Sequence, residues 1–314
     1  MILKWNDNTC RDLIMKMAKE LDYSEHVEQI RWLTCVAYSD DNDTELRLVA
    51  KLCSAKKNVV MRVYSHGQSA VKEKILFQKI LLNSGVCVPK ILKVINVELT
   101  EQLSVTAYLE EWIDGLKPVD ADYFKYTSLL GRYHAVIKNV KSPFSSKRDH
   151  ILYDIDRIAN EMRNKLCCNT TDIEALIVEI AALMNETQKL MLHLKRYPVH
   201  GDYSTDNIIR CGNSLFMIDF ERSANGYLPE EAGEAFAEIM CSCFGFEGWK
   251  EQLKKFFDVY SDYAELSELE RYLTESVARI ALLIRVLQKE SDVELRLMLC
   301  KSILNKEGRL YSHV

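Results

Sequence analysis

Apolar positions follow two regimes along the chain. Leu13, Met17 and Leu21 recur at four-residue steps and predict a helix over Cys10–Leu21. Three runs rich in Val, Leu and aromatic residues then predict strands over Gln29–Tyr38, Glu45–Cys53 and Val59–Tyr64. Polar turns, Ser39–Thr44 and Ser54–Asn58, separate them. A helix follows over Ala70–Asn83, ended by Ser84-Gly85 with Pro89 beyond, and two more strands lie around Lys90–Val97 and Leu103–Tyr108. This pattern predicts a small five-stranded antiparallel sheet carrying one inserted helix.

After Trp112-Ile113-Asp114-Gly115 the period changes to helical. Tyr123–Asn139 and Asp172–Lys195 place apolar residues at three- and four-residue steps. In the second, Ile173, Leu176, Ile180, Leu183 and Leu190 belong to one broad stripe, the mark of a core-facing helix, and Pro198 stops it. Asn207–Arg210 and Leu215–Phe220, joined by Cys211-Gly212-Asn213, read as a hairpin. Helices over Glu230–Cys243, Trp249–Asp262, Leu266–Lys289 and Val293–Asn305 complete the chain. The expected class is α+β.

Composition narrows the partners. A chain of 314 residues is long enough for two lobes. It holds no apolar run near the roughly 18 residues of a membrane span. Met1–Asp7 lacks the basic-then-apolar pattern of an export signal, so the expectation is a cytoplasmic protein with no membrane partner. A net charge of −5 argues against nucleic acid. The ten cysteines are scattered, form no Cys-x-x-Cys pair, and read as reduced thiols. Oligomeric state is open, with a monomer as the default.

The chemistry concentrates in His200-Gly201-Asp202-Tyr203-Ser204-Thr205-Asp206-Asn207 and in Met217-Ile218-Asp219-Phe220-Glu221. A loop leads into the hairpin, with Asp202 and Asn207 five apart and Asp219 at the hairpin's far end. The amide of Asn207 and the carboxylate of Asp219 suit Mg²⁺, which prefers hard oxygen donors. Asp202 can then accept a hydrogen bond from an incoming hydroxyl. Phosphoryl transfer demands little beyond aligning the nucleophile and neutralising phosphate charge.

These residues resemble the aminoglycoside phosphotransferase and choline kinase-like family of small-molecule kinases, in which Asp202-x-x-x-x-Asn207 matches the catalytic loop and Asp219 the metal-binding Asp. The resemblance implies a protein-kinase-like two-lobed fold: a nucleotide-binding lobe over 1–111, a hinge over 112–115 and a helical lobe over 116–314. It implies Asp202 as catalytic base, Asn207 and Asp219 as Mg²⁺ ligands, and ATP or GTP as phosphoryl donor. Val60–Tyr64 is similar to the strand that places a cation beside the phosphates, and Ala70–Glu73 to the helix supplying its acidic partner, which pairs Arg62 with Glu73. Lys51, one strand earlier, is the competing cation. Glu110–Gly115 resembles the hinge, with the purine on backbone groups near Glu111, Trp112 and Ile113. His134, in a helix similar to one ending Leu-His in the family, is expected to be a packing residue, and His200 to brace the loop.

Two departures matter. No glycine precedes Gly67, and the corresponding turn, Ser39–Thr44, carries Asp40, Asp41 and Asp43. The Asp that buttresses the family's catalytic loop has its best match in Glu234. The reading is transfer of the γ-phosphoryl group of Mg-ATP or Mg-GTP to a hydroxyl of an aminoglycoside, amino alcohol or sugar-like acceptor. Asp206, Glu221, Glu230, Glu231 and Glu234 either receive an aminated acceptor or form ordinary surface. The alternative, favoured by the missing glycines, is a catalytically silent binding or structural protein. A protein kinase fits poorly, since no Ala-Pro-Glu segment follows Asp219.

Overall fold

Alternation along the strands decides which face of the first sheet each helix covers. The computed structural model of the protein describes residues 7–23, 27–39, 44–55, 57–65, 68–99, 103–147, 155–166, 170–244, 246, 248–288 and 293–305. They divide between two compact units, Met1–Gly115 and Leu116–Val314. In the first, α1 (Asp7–Glu20) precedes β1 (Gln29–Ser39), β2 (Thr44–Cys53) and β3 (Val59–Tyr64). Then come α2 (Gln68–Asn83), β4 (Ile91–Glu98) and β5 (Ser104–Glu111). The sheet is antiparallel in the order β1-β2-β3-β5-β4, as the sequence pattern predicts. Residues 40–43 of the glycine-free turn lie outside the described residues, as does Gly67.

On β3 the odd positions Val59, Met61 and Val63 are fully buried in a core with Cys10, Ile14, Met17 and Ala18 of α1. The even positions face the other way, where Tyr64 and Tyr108 pack with Val71 and Ile75 of α2. A period of two on the strands and a stripe on each helix thus give a helix–sheet–helix sandwich. A register shift between Trp32 and Thr34 leaves Leu33 outside the ladder and 51% exposed.

The second unit is mostly helical. It contains α3 (Tyr123–Lys138), α4 (Ile155–Leu166), α5 (Thr170–Met191), α6 (Leu228–Ile239), α7 (Trp249–Ser261), α8 (Glu268–Gln288) and α9 (Val293–Leu304). The predicted hairpin is β7 (Ile208–Cys211) with β8 (Ser214–Met217). A second small ladder joins β6 (Tyr197–Val199) to β9 (Ala224–Gly226). Two elements differ from expectation. The helix α4 is unpredicted because its buried stripe, Ile158, Ala159, Met162 and Leu166, is narrow in an otherwise charged segment. And α5 stops at Met191, short of Pro198, which instead lies in β6; backbone bonds from His193 to Leu190 and from Leu194 to Met191 close its last turn.

The centre of this unit is the crossing of α6 and α8. Gly233 sits where a Cβ would come 2.7 Å from Val277 Cβ and 2.8 Å from the Thr274 carbonyl, so the absence of a side chain sets the helix separation. Gly233→Ala should therefore cost about 1–3 kcal/mol through overpacking, read as a lower urea midpoint with an unchanged slope.

Candidate active site

The loop between β6 and β7 carries Asp202 and Asn207, and buried groups hold it from both sides. Gly201 has φ +81°, and a Cβ there would meet the Arg222 carbonyl at 2.3 Å, so only glycine admits this path. His200 is fully buried. Its Nδ1 accepts from the Asp202 N–H (3.3 Å), which assigns the proton to Nε2, and Nε2 donates to the Ile218 carbonyl (2.8 Å). One imidazole thus ties the backbone of Asp202 to the residue preceding Asp219. Ser223 Oγ donates to the His200 carbonyl at 3.2 Å.

Asn207 ends a 3-10 turn, Thr205–Asn207. Its Nδ2 donates to the Asp202 carbonyl (2.9 Å), and its own carbonyl accepts from the Ile218 N–H (2.9 Å). The amide nitrogen being committed to the loop, Oδ1 is directed elsewhere and accepts no hydrogen bond among the described residues. Asp219 follows one residue after that contact, at φ 62° and ψ 75°. A left-handed conformation at a non-glycine residue costs about 1–3 kcal/mol and persists only where surroundings impose it. Asp202 stands at the loop's open side, its side chain 41% exposed, with Arg222 Nε 3.9 Å from Oδ2. Asp202, Asn207 and Asp219 are therefore gathered by one loop and one hairpin.

The carboxylate that buttresses the loop is Glu231, three residues before Glu234, which the sequence favoured. Glu231 is 2% exposed on the first turn of α6. Oε1 accepts from the Gly201 N–H (2.7 Å) and Oε2 from His134 Nε2 (3.0 Å), while Tyr260 Oη donates to His134 Nδ1 (2.6 Å). Burial alone would push the Glu231 carboxyl up. The hydrogen bonds from His134 Nε2 and the Gly201 N–H outweigh it and hold the carboxyl below its ordinary value. Seven residues on, Glu238 accepts from Thr205 Oγ1 (2.9 Å) and Arg285 (3.0 Å). Spacing by two helical turns puts both carboxylates on one face, the sequence signal that could have found them.

Tyrosines complete the bracing. Tyr126 Oη donates to the Tyr203 carbonyl (3.0 Å) and Tyr203 Oη to the Tyr126 carbonyl (2.8 Å). Burial pushes both phenols well above the ordinary tyrosine value, so they stay donors. Of the other acidic residues considered for an acceptor, Glu230 is buried, and Asp206 is exposed and paired with Lys117. Asp206 also lines a cavity of about 130 Å³, together with Lys117, Tyr123, Thr205, Ile239 and Ser242 among others.

In the first unit, Arg62 stands opposite Tyr108, so Glu110 is its diagonal neighbour on the same sheet face. Arg62 Nε donates to Glu110 Oε1 at 2.8 Å, with both side chains buried. Gln78 of α2 donates to the other oxygen of Glu110 (3.3 Å) and to the Pro89 carbonyl (2.8 Å). Glu110 is thus an anchor for Arg62 that the sequence reading, with Glu73 on α2, did not assign. Lys51 lies 3.8 Å from the Trp112 ring centroid and has no ion pair among the described residues. Strand β5 runs through Glu111, which pairs with Val59 and gives its N–H to the Lys90 carbonyl (2.9 Å). The ladder accordingly ends before Trp112, whose indole N–H is buried without a partner, followed by buried Ile113.

The model of the phosphotransferase enzyme family matches residues 47–269, more than half of the chain. Among solved structures, an amicoumacin kinase in complex with AMP-PNP, Ca²⁺ and Ami superposes with a TM-score of 0.57 at 13% identity, covering 96% of this chain and 93% of that one. An aminoglycoside phosphotransferase from Alicyclobacillus acidocaldarius gives 0.58 at 11% identity (89% and 88% covered). A choline kinase from Cryptosporidium parvum gives 0.51 at 17% (95% of each). At such identities the likeness is one of fold. No curated protein sequence matches. The fold is protein-kinase-like, and the class is a phosphotransferase. The chain belongs to the phosphotransferase enzyme family. Among the described residues no helix is long and apolar enough to cross a membrane.

Glu231→Ala should cost about 3–5 kcal/mol, because it strands the Gly201 and His134 N–H groups in the interior. The pH dependence has a defined sign. Because the folded carboxyl sits below its ordinary value of 4.5, its stabilisation is complete above that value. It is lost as pH falls through the lower folded value. Urea unfolding from pH 7 down to 3 should show a steeper acid loss in the wild type than in Glu231→Gln.

Proposed function

We propose that the protein transfers the terminal phosphoryl group of Mg-ATP or Mg-GTP to a hydroxyl of a small acceptor. The observation carrying this reading is the locked arrangement of Asp202, Asn207 and Asp219, in which a side-chain amide and a buried imidazole fix the backbone between them.

The donor set fits the metal. Asn207 Oδ1 and the Asp219 carboxylate are hard oxygens, and no group of three or more His, Cys, Asp or Glu able to hold a metal occurs among the described residues. Two protein ligands, with phosphates and water completing the shell, is how Mg²⁺ is commonly held at nucleotides. When bound, Mg²⁺ would neutralise charge on the phosphates. Asp202 accepts the proton of the acceptor hydroxyl, its exposed carboxylate positioned by Arg222 and by the His200 brace. Arg62 and Lys51 are the cations proposed for the phosphates. Glu110 already balances Arg62, which leaves the larger share to Lys51. The purine is assigned to backbone groups around Trp112 and Ile113, with Glu111 on their strand side. Glu73 is kept as the helix carboxylate of this half.

We assign the acceptor to the cavity beside Thr205 and Asp206, where an amine of the acceptor would displace Lys117 from the Asp206 carboxylate. Aminoglycosides, amino alcohols and sugar-like hydroxyl compounds are the classes to test.

Asp202→Asn should lower kcat by about 10²–10⁴ while preserving the melting temperature and the nucleotide-induced thermal shift. Asp219→Ala should abolish the metal-dependent part of that shift. The measurement is ADP or GDP release over an acceptor panel; undiminished turnover in Asp202→Asn would remove it as the base. Lys51→Ala and Arg62→Ala separate the two cations. The first should raise nucleotide KM at unchanged stability. The second should cost about 3–5 kcal/mol by leaving Glu110 buried without its partner.

A further inference from the structure

We infer that Cys10 and Cys35 form a disulfide-exchange site that accepts low-molecular-weight disulfides. Their sulfurs lie 3.8 Å apart, one on α1 and one on β1. Cys35 pairs with Leu48 across the ladder, and Leu48 belongs to the core built on the α1 face of the sheet. Opposed residues share a face, so Cys35 projects toward α1, where Cys10 is 1% exposed. The approach is a consequence of topology and is invisible in the spacing of 25 residues.

The two thiols differ in the way an exchange site requires. Cys35 is exposed, on a strand at the end of the sheet order, so an external disulfide can reach it. Cys10 is buried beside it and stands ready to resolve the adduct. In the first step the Cys35 thiolate attacks one sulfur of the reagent, forming a mixed disulfide and expelling one thiolate. In the second, the Cys10 sulfur attacks the Cys35 sulfur and expels the other half of the reagent, which takes up the Cys10 proton and leaves as a thiol. The protein dithiol is oxidised and the reagent disulfide is reduced to two thiols. Bringing the sulfurs to the bonded distance of about 2.05 Å needs a shift under about 2 Å, within reach of side-chain rotation. The bond would tie α1 to the edge of the sheet and restrict the unfolded chain.

The test is incubation of the full chain with glutathione disulfide, followed by non-reducing peptide mapping and thermal melting. The expected result is a peptide joining Cys10 to Cys35 and a melting temperature raised by a few degrees, both reversed by dithiothreitol. Cys35→Ser should lose both. Cys10→Ser should stop at Cys35 carrying one glutathione. If Cys10→Ser folds poorly, the exposed Cys35→Ala variant supplies the control. Wild-type Cys35 that remains glutathionylated, stays unreacted, or links to another cysteine would overturn the proposal.

Discussion

A single buried carboxylate, Glu231, carries the local architecture of the second unit. Taking an ionised side chain out of water costs several kcal/mol unless donors surround it, and here the Gly201 N–H and His134 are those donors. The same two bonds settle two otherwise independent questions: where the first turn of α6 docks, and which path the chain takes through Gly201. Tyr260 on α7 extends the chain of donors by fixing the His134 tautomer. Three helices and one loop are thereby referred to one side chain. A shift of any of them would leave a polar group unpaired in the interior.

From that anchor Asp202, Asn207 and Asp219 inherit their positions. Gly201 directs the chain so that His200 turns inward and Asp202 outward. His200 and Asn207 then bond to opposite sides of Ile218, so the hairpin cannot slide against the loop without breaking both contacts. The left-handed backbone at Asp219 is the residual cost of this construction. Strain of that kind fits a residue selected for where its carboxylate points, since a relaxed backbone would aim it elsewhere.

The first unit reaches a comparable rigidity by a different route. Its strands bury one face on α1 and the other on α2, so a charge on the α2 side must find its counter-charge within the sheet. Arg62 finds Glu110 diagonally across β3 and β5, and Gln78 satisfies the remaining oxygen. A guanidinium balanced in this way is a structural fixture. Lys51, held against the Trp112 ring, keeps its charge unmatched among the described residues.

Periodicity alone determined the five strands, the helix inserted among them and most helices of the second unit. Apolar residues at steps of two or of three and four are the direct record of one buried face. The spacing of Asp202, Asn207 and Asp219 likewise put these three residues on one loop and hairpin, because a loop followed by a tight hairpin leaves little freedom in what meets. Tertiary structure decided the rest. The narrow stripe of α4 carries too few apolar residues to announce a helix until its neighbours bury it. Glu231 and Glu234 are chemically equivalent in the sequence; helix phase turns the first toward Gly201, and only the docking of α6 fixes that phase. Arg62 and Glu110 are 48 residues apart, and Cys10 and Cys35 are 25 apart. Such pairs depend on strand register and on which face a helix covers, relations between distant segments that no local pattern encodes.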